Sequence, residues 1–203
     1  EGIDVTIAKS IQKVAENLGD VLDALPGKEG RMTFTTMNTL NKRRPTIGDY
    51  RAQIVHPPVQ NQLVIFDVSG SMSEQTVRSI APEVVALSYK ANAKLAIVSN
   101  TCRVWDPGTF SVADVLREAE YGGTHYETLA PLLRQDWGTV VTIADYDSSL
   151  SAKEFLRMNA SGKIGQVLDM SLVNRPTFLA ECVGQFADKV TPLLIGNSSF
   201  VLS

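Results

Sequence analysis

Several residue types on which metal and catalytic sites often depend are scarce in this chain. Its 203 residues include only two histidines and two cysteines. His56 and His125 are far apart in the sequence and do not have the spacing of metal ligands. Cys102 and Cys182 lie in apolar contexts, which favours buried free thiols. The sequence therefore predicts no zinc site built from cysteine and histidine.

The chain also lacks the features of a membrane-spanning or nucleic-acid-coating protein. No apolar run approaches the length of a membrane span. The formal net charge of −3 argues against general binding to polyanions. Hydrophobic residues at 44% and charged residues at 20% are typical of a soluble globular domain of ordinary size. We expect a cytoplasmic or virion-associated protein.

Common enzyme motifs are absent as well. The chain contains no Gly-x-Ser-x-Gly nucleophile motif, no phosphate-binding loop and no dinucleotide fingerprint. Asp67 follows an apolar strand, as in the aspartyl-phosphate phosphatases, but their second acid two residues further on is Ser69 here. The sequence therefore predicts that the protein is not an enzyme.

Oxygen donors are present, and they follow a predicted strand. The four apolar residues 63–66 indicate a strand buried on both faces, which ends at Asp67. Ser69 and Ser71 alternate with apolar or small residues after it, and Gly70 permits a tight bend. One carboxylate and two hydroxyls suit a hard divalent cation such as Mg²⁺. Taken singly, each residue could instead cap a helix or bond to the backbone.

Two later segments carry oxygen donors in similar positions. Thr124 follows a pair of glycines and precedes the amphipathic run 127–133. The apolar segment 139–144 predicts a second strand that ends at Asp145. In an open α/β sheet, ligands bind at the carboxyl ends of the strands, so the three loops are expected to converge.

Together, these segments resemble the metal-ion-dependent adhesion site of the von Willebrand factor A family. In that family the first loop reads Asp-x-Ser-x-Ser, the second supplies a Thr after glycine, and the third supplies an Asp at a strand end. The resemblance implies a metal site for Mg²⁺, Mn²⁺ or Ca²⁺ with five ligands: Asp67, Ser69, Ser71, Thr124 and Asp145. Asp147 is the alternative to Asp145, because the third loop departs from the usual Thr-Asp-Gly.

The resemblance also implies how such a site acts. In the family the hydroxyls bind the metal directly, the aspartates often act through water, and an acidic side chain of a partner protein fills an open position. A metal-dependent protein-interaction module is therefore expected, as part of a larger assembly. The residue pattern of the first loop resembles that of intracellular bacterial, phage and Ro-type members of the family.

The alternation of strands and helices predicts an α/β fold. The resemblance specifies a three-layer, doubly wound, mostly parallel sheet flanked by helices, of the von Willebrand factor A or Rossmann-like type, with an extra N-terminal helix. Helices are predicted over 3–25, 74–91, 111–120 and 151–159 and from Pro176; further strands are predicted over 94–99, 102–105, 166–173 and 191–195. Pro82 should kink or divide its helix, and Pro192 should place its strand at a sheet edge.

Residues 1–60 are expected to pack on a core domain formed by residues 61–203. The helix over 3–25 would take the place of the final helix that the family usually has. Residues 28–60 are expected to be a loop-rich connector with a short strand at 32–37 and the basic cluster Lys42, Arg43 and Arg44. The alternative function is a structural or assembly domain, for instance of a phage particle or ribonucleoprotein, whose partner binds outside the metal site, at this cluster or at the N-terminal helix. A partner protein is favoured over nucleic acid at the cluster, because no aromatic residues are interleaved with its basic residues.

Overall fold

The structure is a computed structural model that describes residues 8, 9, 11 and 12, the backbone of residues 31–36 and 50–55, and residues 61–146 and 150–194. It divides the chain into two units, one formed by Glu1–Gly19 with Gln60–Ser203 and the other by Asp20–Val59.

The smaller unit contains a β-hairpin. Strand β1 (Arg31–Thr36) pairs antiparallel with β2 (Tyr50–Val55). The sequence predicted β1 within one residue, but the expectation of a loop at β2 was wrong. Tyr50, Ala52 and Ile54 alternate with more polar residues, which is the two-residue period of a strand. Lys42, Arg43 and Arg44 lie outside the described residues.

The larger unit contains a six-stranded, mostly parallel sheet. Its strands are β3 (Gln62–Asp67), β4 (Lys94–Val98), β5 (Cys102–Trp105), β6 (Trp137–Ala144), β7 (Ile164–Ser171) and β8 (Ala187–Leu194). They lie in the order β5-β4-β3-β6-β7-β8, with only β5 antiparallel to its neighbour. The predicted α/β class and the strands predicted over 94–99 and 102–105 are confirmed, and the sheet is compatible with a Rossmann-like fold.

Four α-helices of the described residues connect these strands: α1 (Glu74–Lys90), α2 (Val112–Glu118), α3 (Leu150–Asn159) and α4 (Phe178–Gly184). Helix α1 continues through Pro82 as a single element. Ser111 caps α2 in a reciprocal capping box with Asp114. Helix α4 begins at Phe178 and not at Pro176. Its N-cap is Thr177, whose hydroxyl accepts a hydrogen bond from the backbone N–H of Ala180.

The centre of the sheet is its most buried part. Leu63, Val64, Ile65 and Phe66 in β3 have no exposed surface, because β4 and β6 pair on either side and β3 is covered on both faces. Strand β8 contains Pro192 and lies at one edge of the sheet. The edge position predicted from this proline is therefore confirmed.

Only a few residues of the predicted N-terminal helix are described. Residues 8, 9, 11 and 12 are helical, and the side chain of Ile11 is fully buried. The rest of the helix predicted over 3–25 lies outside the described residues. Among the helices that the structure describes, none combines the length and apolar character that crossing a membrane requires.

Both cysteines are free thiols, in agreement with the prediction. Cys182 is buried in α4, and burial raises the pKa of its thiol to about 12. Cys102 begins β5 and is only half-buried, yet burial still raises its pKa to about 11. Neither thiol is therefore an activated nucleophile at neutral pH.

The strand order creates a crevice between β3 and β6. From β3 the chain adds β4 and β5 towards one edge of the sheet, and from β6 it adds β7 and β8 towards the other. A reversal of this kind leaves the loops after the two central strands diverging to opposite sides, so that a ligand can bind between them. Asp67 ends β3, and Asp145 follows β6 directly.

Candidate metal centre

The first loop brings one carboxylate and two hydroxyls together immediately after β3. Asp67 and Ser69 are fully buried, and the backbone N–H of Ser69 donates a 2.8 Å hydrogen bond to Oδ1 of Asp67. The exposed Ser71 follows in a short 3₁₀ turn, and its Oγ lies 3.0 Å from Oγ of Ser69. The alternating side chains thus form a compact group of oxygens, as the sequence predicted for a tight loop.

The second loop packs directly on the first. The N–H of Gly70 donates a 2.8 Å bond to the carbonyl oxygen of Gly122. A Cβ atom on Gly70 would lie 3.0 Å from the carbonyl oxygen of Tyr121 and 3.3 Å from that of Gly122. A larger residue at position 70 is therefore disfavoured, because the neighbouring atoms belong to the backbone of the second loop. Thr124, which is partly exposed, follows two residues after this contact.

Two residues that the sequence analysis missed hold the second loop in place. The Ser99 hydroxyl accepts a 2.9 Å bond from the N–H of Gly122 and donates a 3.3 Å bond to the carbonyl oxygen of Gly123. Oδ1 of Asn100 accepts a 2.8 Å bond from the N–H of Gly123. Both residues follow β4, so their signal was the same as that of Asp67: polar side chains directly after a buried strand.

Tyr126 is the third missed residue, and it joins the second loop to the first. Its hydroxyl donates a 2.6 Å bond to Oδ2 of Asp67, and the whole side chain is buried. The ring packs near Phe178 of α4, with 6.3 Å between the ring centroids. Both carboxylate oxygens of Asp67 therefore accept a hydrogen bond. The donor to Oδ2 is a side chain that is itself packed in the core.

The carboxyl group of Asp67 lies in an environment that disfavours its charge. Burial raises its pKa above the ordinary value, and the negative charge of Asp145 adds to the rise, whereas the bonds from Tyr126 and Ser69 oppose it. Among the described residues, no lysine or arginine forms an ion pair with Asp67. A bound cation would supply the missing positive charge.

Asp145 lies where the third-loop ligand was predicted, at the end of β6 and partly exposed. It is near enough to Asp67 for its charge to act on that carboxyl group. The alternative residue, Asp147, lies outside the described residues. The structure thus brings the first loop, the second loop and Asp145 to one end of the crevice between β3 and β6.

The spacing of the oxygens fits a divalent cation. In an octahedral Mg²⁺ site with metal–oxygen distances of about 2.0–2.1 Å, adjacent ligand atoms lie about 3 Å apart. The hydroxyls of Ser69 and Ser71 form a hydrogen bond, and its 3.0 Å length also equals this separation. The described residues contain no group of three or more His, Cys, Asp or Glu side chains placed to hold a metal, so an ion bound here would need hydroxyl ligands.

His125 and Glu127 flank the second loop but interact with each other. Nδ1 of His125 lies 2.8 Å from Oε1 of Glu127, and about half of the histidine side chain is exposed. The second oxygen of Glu127 is buried and has no hydrogen-bond partner among the described residues. His125 is therefore an exposed side chain whose polar contact is with Glu127.

No protein-family model matches the chain, and no curated protein is significantly similar to it in sequence.

Proposed function

We propose that this protein is a metal-dependent protein-interaction module of the von Willebrand factor A type. The observation that carries the proposal is the 3.0 Å pair of hydroxyls, Ser69 and Ser71, beside the buried and cation-deficient Asp67. Its place between β3 and β6, where the strand order reverses, supports the same conclusion, since ligands of open α/β sheets bind there.

Each residue of the site has a distinct role in this proposal. Ser69, Ser71 and Thr124 would hold Mg²⁺, Mn²⁺ or Ca²⁺ through their hydroxyls. Asp67 and Asp145 would provide the negative charge that retains the ion. Both oxygens of Asp67 already accept hydrogen bonds, which favours its action through water rather than by direct coordination. When bound, the ion supplies an open position for an acidic side chain of a partner protein.

The finer points of the fold belong to this proposal too. The sheet would be the middle layer of a three-layer, doubly wound arrangement with helices on both faces. The N-terminal helix would pack on the sheet, and the fully buried Ile11 is consistent with that position. A protein of this kind would act in the cytoplasm or in a virion, as one part of a larger assembly. We propose no enzymatic activity for it.

The first test is calorimetric titration of the metal-stripped chain with Mg²⁺ and Mn²⁺. We expect saturable binding at one site, lost in Asp67→Ala and in the double variant Ser69→Ala/Ser71→Ala. Ser79→Ala is the matched control, because Ser79 is an exposed serine on α1 whose hydroxyl bonds only to a backbone carbonyl. Absence of binding in the wild type, or full binding in the double variant, would contradict the proposal.

Chelation tests the interaction itself. If the metal mediates partner binding, chelating agents should release the partner, and Asp67→Ala should bind none. Binding that survives chelation but is lost on charge reversal at Lys42, Arg43 and Arg44 would instead assign the alternative role of a structural or assembly domain.

A further inference from the structure

An arginine lies beside the third loop with its guanidinium stacked on an aromatic ring. Cζ of Arg175 is 3.2 Å from the centroid of the Tyr146 ring. Both side chains reach the surface, and Tyr146 is 39% exposed. Tyr146 is the residue directly after Asp145, so the guanidinium of Arg175 contacts the loop that contains the proposed third-loop ligand.

The backbone that carries Arg175 is held in place from the core. The buried hydroxyl of Ser171 bonds to the carbonyl oxygens of Val173, at 2.7 Å, and Arg175, at 2.5 Å. The N–H of Leu172 donates a 3.0 Å bond to the carbonyl oxygen of Ala144, the last residue of β6. The loop between β7 and α4 is therefore fixed against the strand end from which Asp145 follows.

The N–H donors of the Arg175 guanidinium are not used by its stacking on Tyr146. Stacking uses the face of the planar group and leaves its N–H donors pointing outwards from the edge. Arg78, Arg103 and Arg117 each form an ion pair with a nearby carboxylate. Arg175 forms no such pair with any described residue, and its fork of donors matches a carboxylate.

We propose that Arg175 is a second recognition point for the partner, which therefore presents two carboxylates, one at the metal position and one at Arg175. This inference rests on the proposed function, because the first carboxylate needs the metal. Tyr146 acts as a positioning residue, since its ring restricts the guanidinium to one plane. The partner surface is thus a pair of neighbouring acidic side chains rather than a single one.

Small carboxylates test this proposal before any partner is identified. The full chain is loaded with Mn²⁺, and glutarate and butyrate are titrated separately, with the paramagnetic broadening of their proton resonances reporting binding near the metal. The two differ by one carboxylate on a chain of similar length. We expect glutarate to bind about fivefold more tightly, the upper end for an exposed ion pair. Arg175→Gln should abolish this preference while the variant still binds Mn²⁺ at one site.

Arg157→Gln is the matched control, since it removes the same charge from an exposed position in the last turn of α3. It should keep the preference for glutarate, and Tyr146→Leu should reduce it. Equal affinities in the wild type, or a preference that Arg175→Gln leaves unchanged, would overturn this inference while the Mn²⁺ titration still supported the proposed function. Failure of the wild type to bind Mn²⁺ would overturn both.

Discussion

The hydroxyl of Tyr126 donates a 2.6 Å hydrogen bond to Oδ2 of Asp67, across 59 residues of sequence and inside the core. Asp67 ends the central strand, and Tyr126 begins the short helix after the second loop. The bond therefore connects the two loops of the candidate metal centre beneath the surface. It orients the buried carboxylate, beside which the hydroxyls of Ser69 and Ser71 bond to each other at 3.0 Å.

Removing this hydroxyl should weaken both the fold and the site. Tyr126→Phe leaves one oxygen of the buried Asp67 without a donor, which should lower the free energy of unfolding by about 1–3 kcal/mol. The affinity for Mg²⁺ should also fall, because the carboxylate loses its fixed orientation. Urea unfolding and calorimetric titration measure the two effects. Tyr89→Phe is the control, because that hydroxyl bonds the carbonyl of Phe110 in a half-exposed position; equal effects of the two variants would contradict this prediction.

Asp67 should make the metal-free protein less stable as the pH rises. Burial raises the pKa of this carboxyl in the folded chain, so over the interval from its ordinary value of 3.8 up to the raised value the folded chain holds a proton that the unfolded chain releases. The contribution of Asp67 to the free energy of unfolding is thus largest below 3.8 and falls through that interval.

Asp67→Asn should remove this loss of stability. The asparagine oxygen can accept from the N–H of Ser69, and its NH₂ group can donate to Tyr126, whose hydroxyl rotates. Without divalent ions, we expect the variant to be more stable than the wild type at neutral pH, with the difference shrinking in acid. Saturating Mg²⁺ should stabilise the wild type alone, by ligand linkage. Urea unfolding with and without Mg²⁺ measures all four states, and a wild type that is the more stable at neutral pH without metal would refute this prediction.

The second loop depends on a glycine that faces an asparagine. A Cβ atom at position 122 would lie 2.1 Å from Nδ2 of Asn100 and within 2.7 Å of its other side-chain end atoms. Gly122→Ala should therefore displace Asn100, break its bond to the N–H of Gly123, and reduce both stability and metal affinity.

A double-mutant cycle distinguishes this clash from a general effect of alanine. In an Asn100→Ala background the added methyl group meets no asparagine side chain, so Gly122→Ala should cost much less there than in the wild type. Thermal unfolding and Mg²⁺ titration of the four proteins give the coupling. Additive effects would show that the clash is not the cause.

A second buried aspartate should behave differently from Asp67. Asp169 is fully buried in β7 and accepts bonds from both the backbone N–H, at 3.1 Å, and the hydroxyl, at 2.9 Å, of Thr177. Thr177→Val removes the hydroxyl donor and the N-cap of α4 together, and should lower the free energy of unfolding by about 1–3 kcal/mol. Mg²⁺ affinity should remain at the wild-type value, measured by calorimetry under conditions where the variant is folded. A loss of affinity would place this pair in the metal centre.

The central strands and their terminal aspartates could be predicted from the sequence because each has a local signal. A run of apolar residues predicts a buried strand, and the first polar residue after it marks where the strand ends. Since parallel strands end at the same edge of a sheet, Asp67 and Asp145 were expected to approach one another, and the charge of Asp145 does act on Asp67. The hydroxyls at Ser69 and Ser71 follow from the same local spacing.

The supports of the site were decided only by the tertiary structure. Ser99 and Asn100 bond to glycines more than twenty residues away, Tyr126 reaches Asp67 from a different loop, and Arg175 meets Tyr146 across two strand ends. Ser99 and Asn100 have the local signal of polar residues directly after a buried strand, but no local signal indicates the partner in any of these contacts, because each partner depends on which strands become neighbours. Local residue patterns indicate where oxygen donors follow strands, whereas the order of the strands in the sheet sets which side chains hold those donors in place.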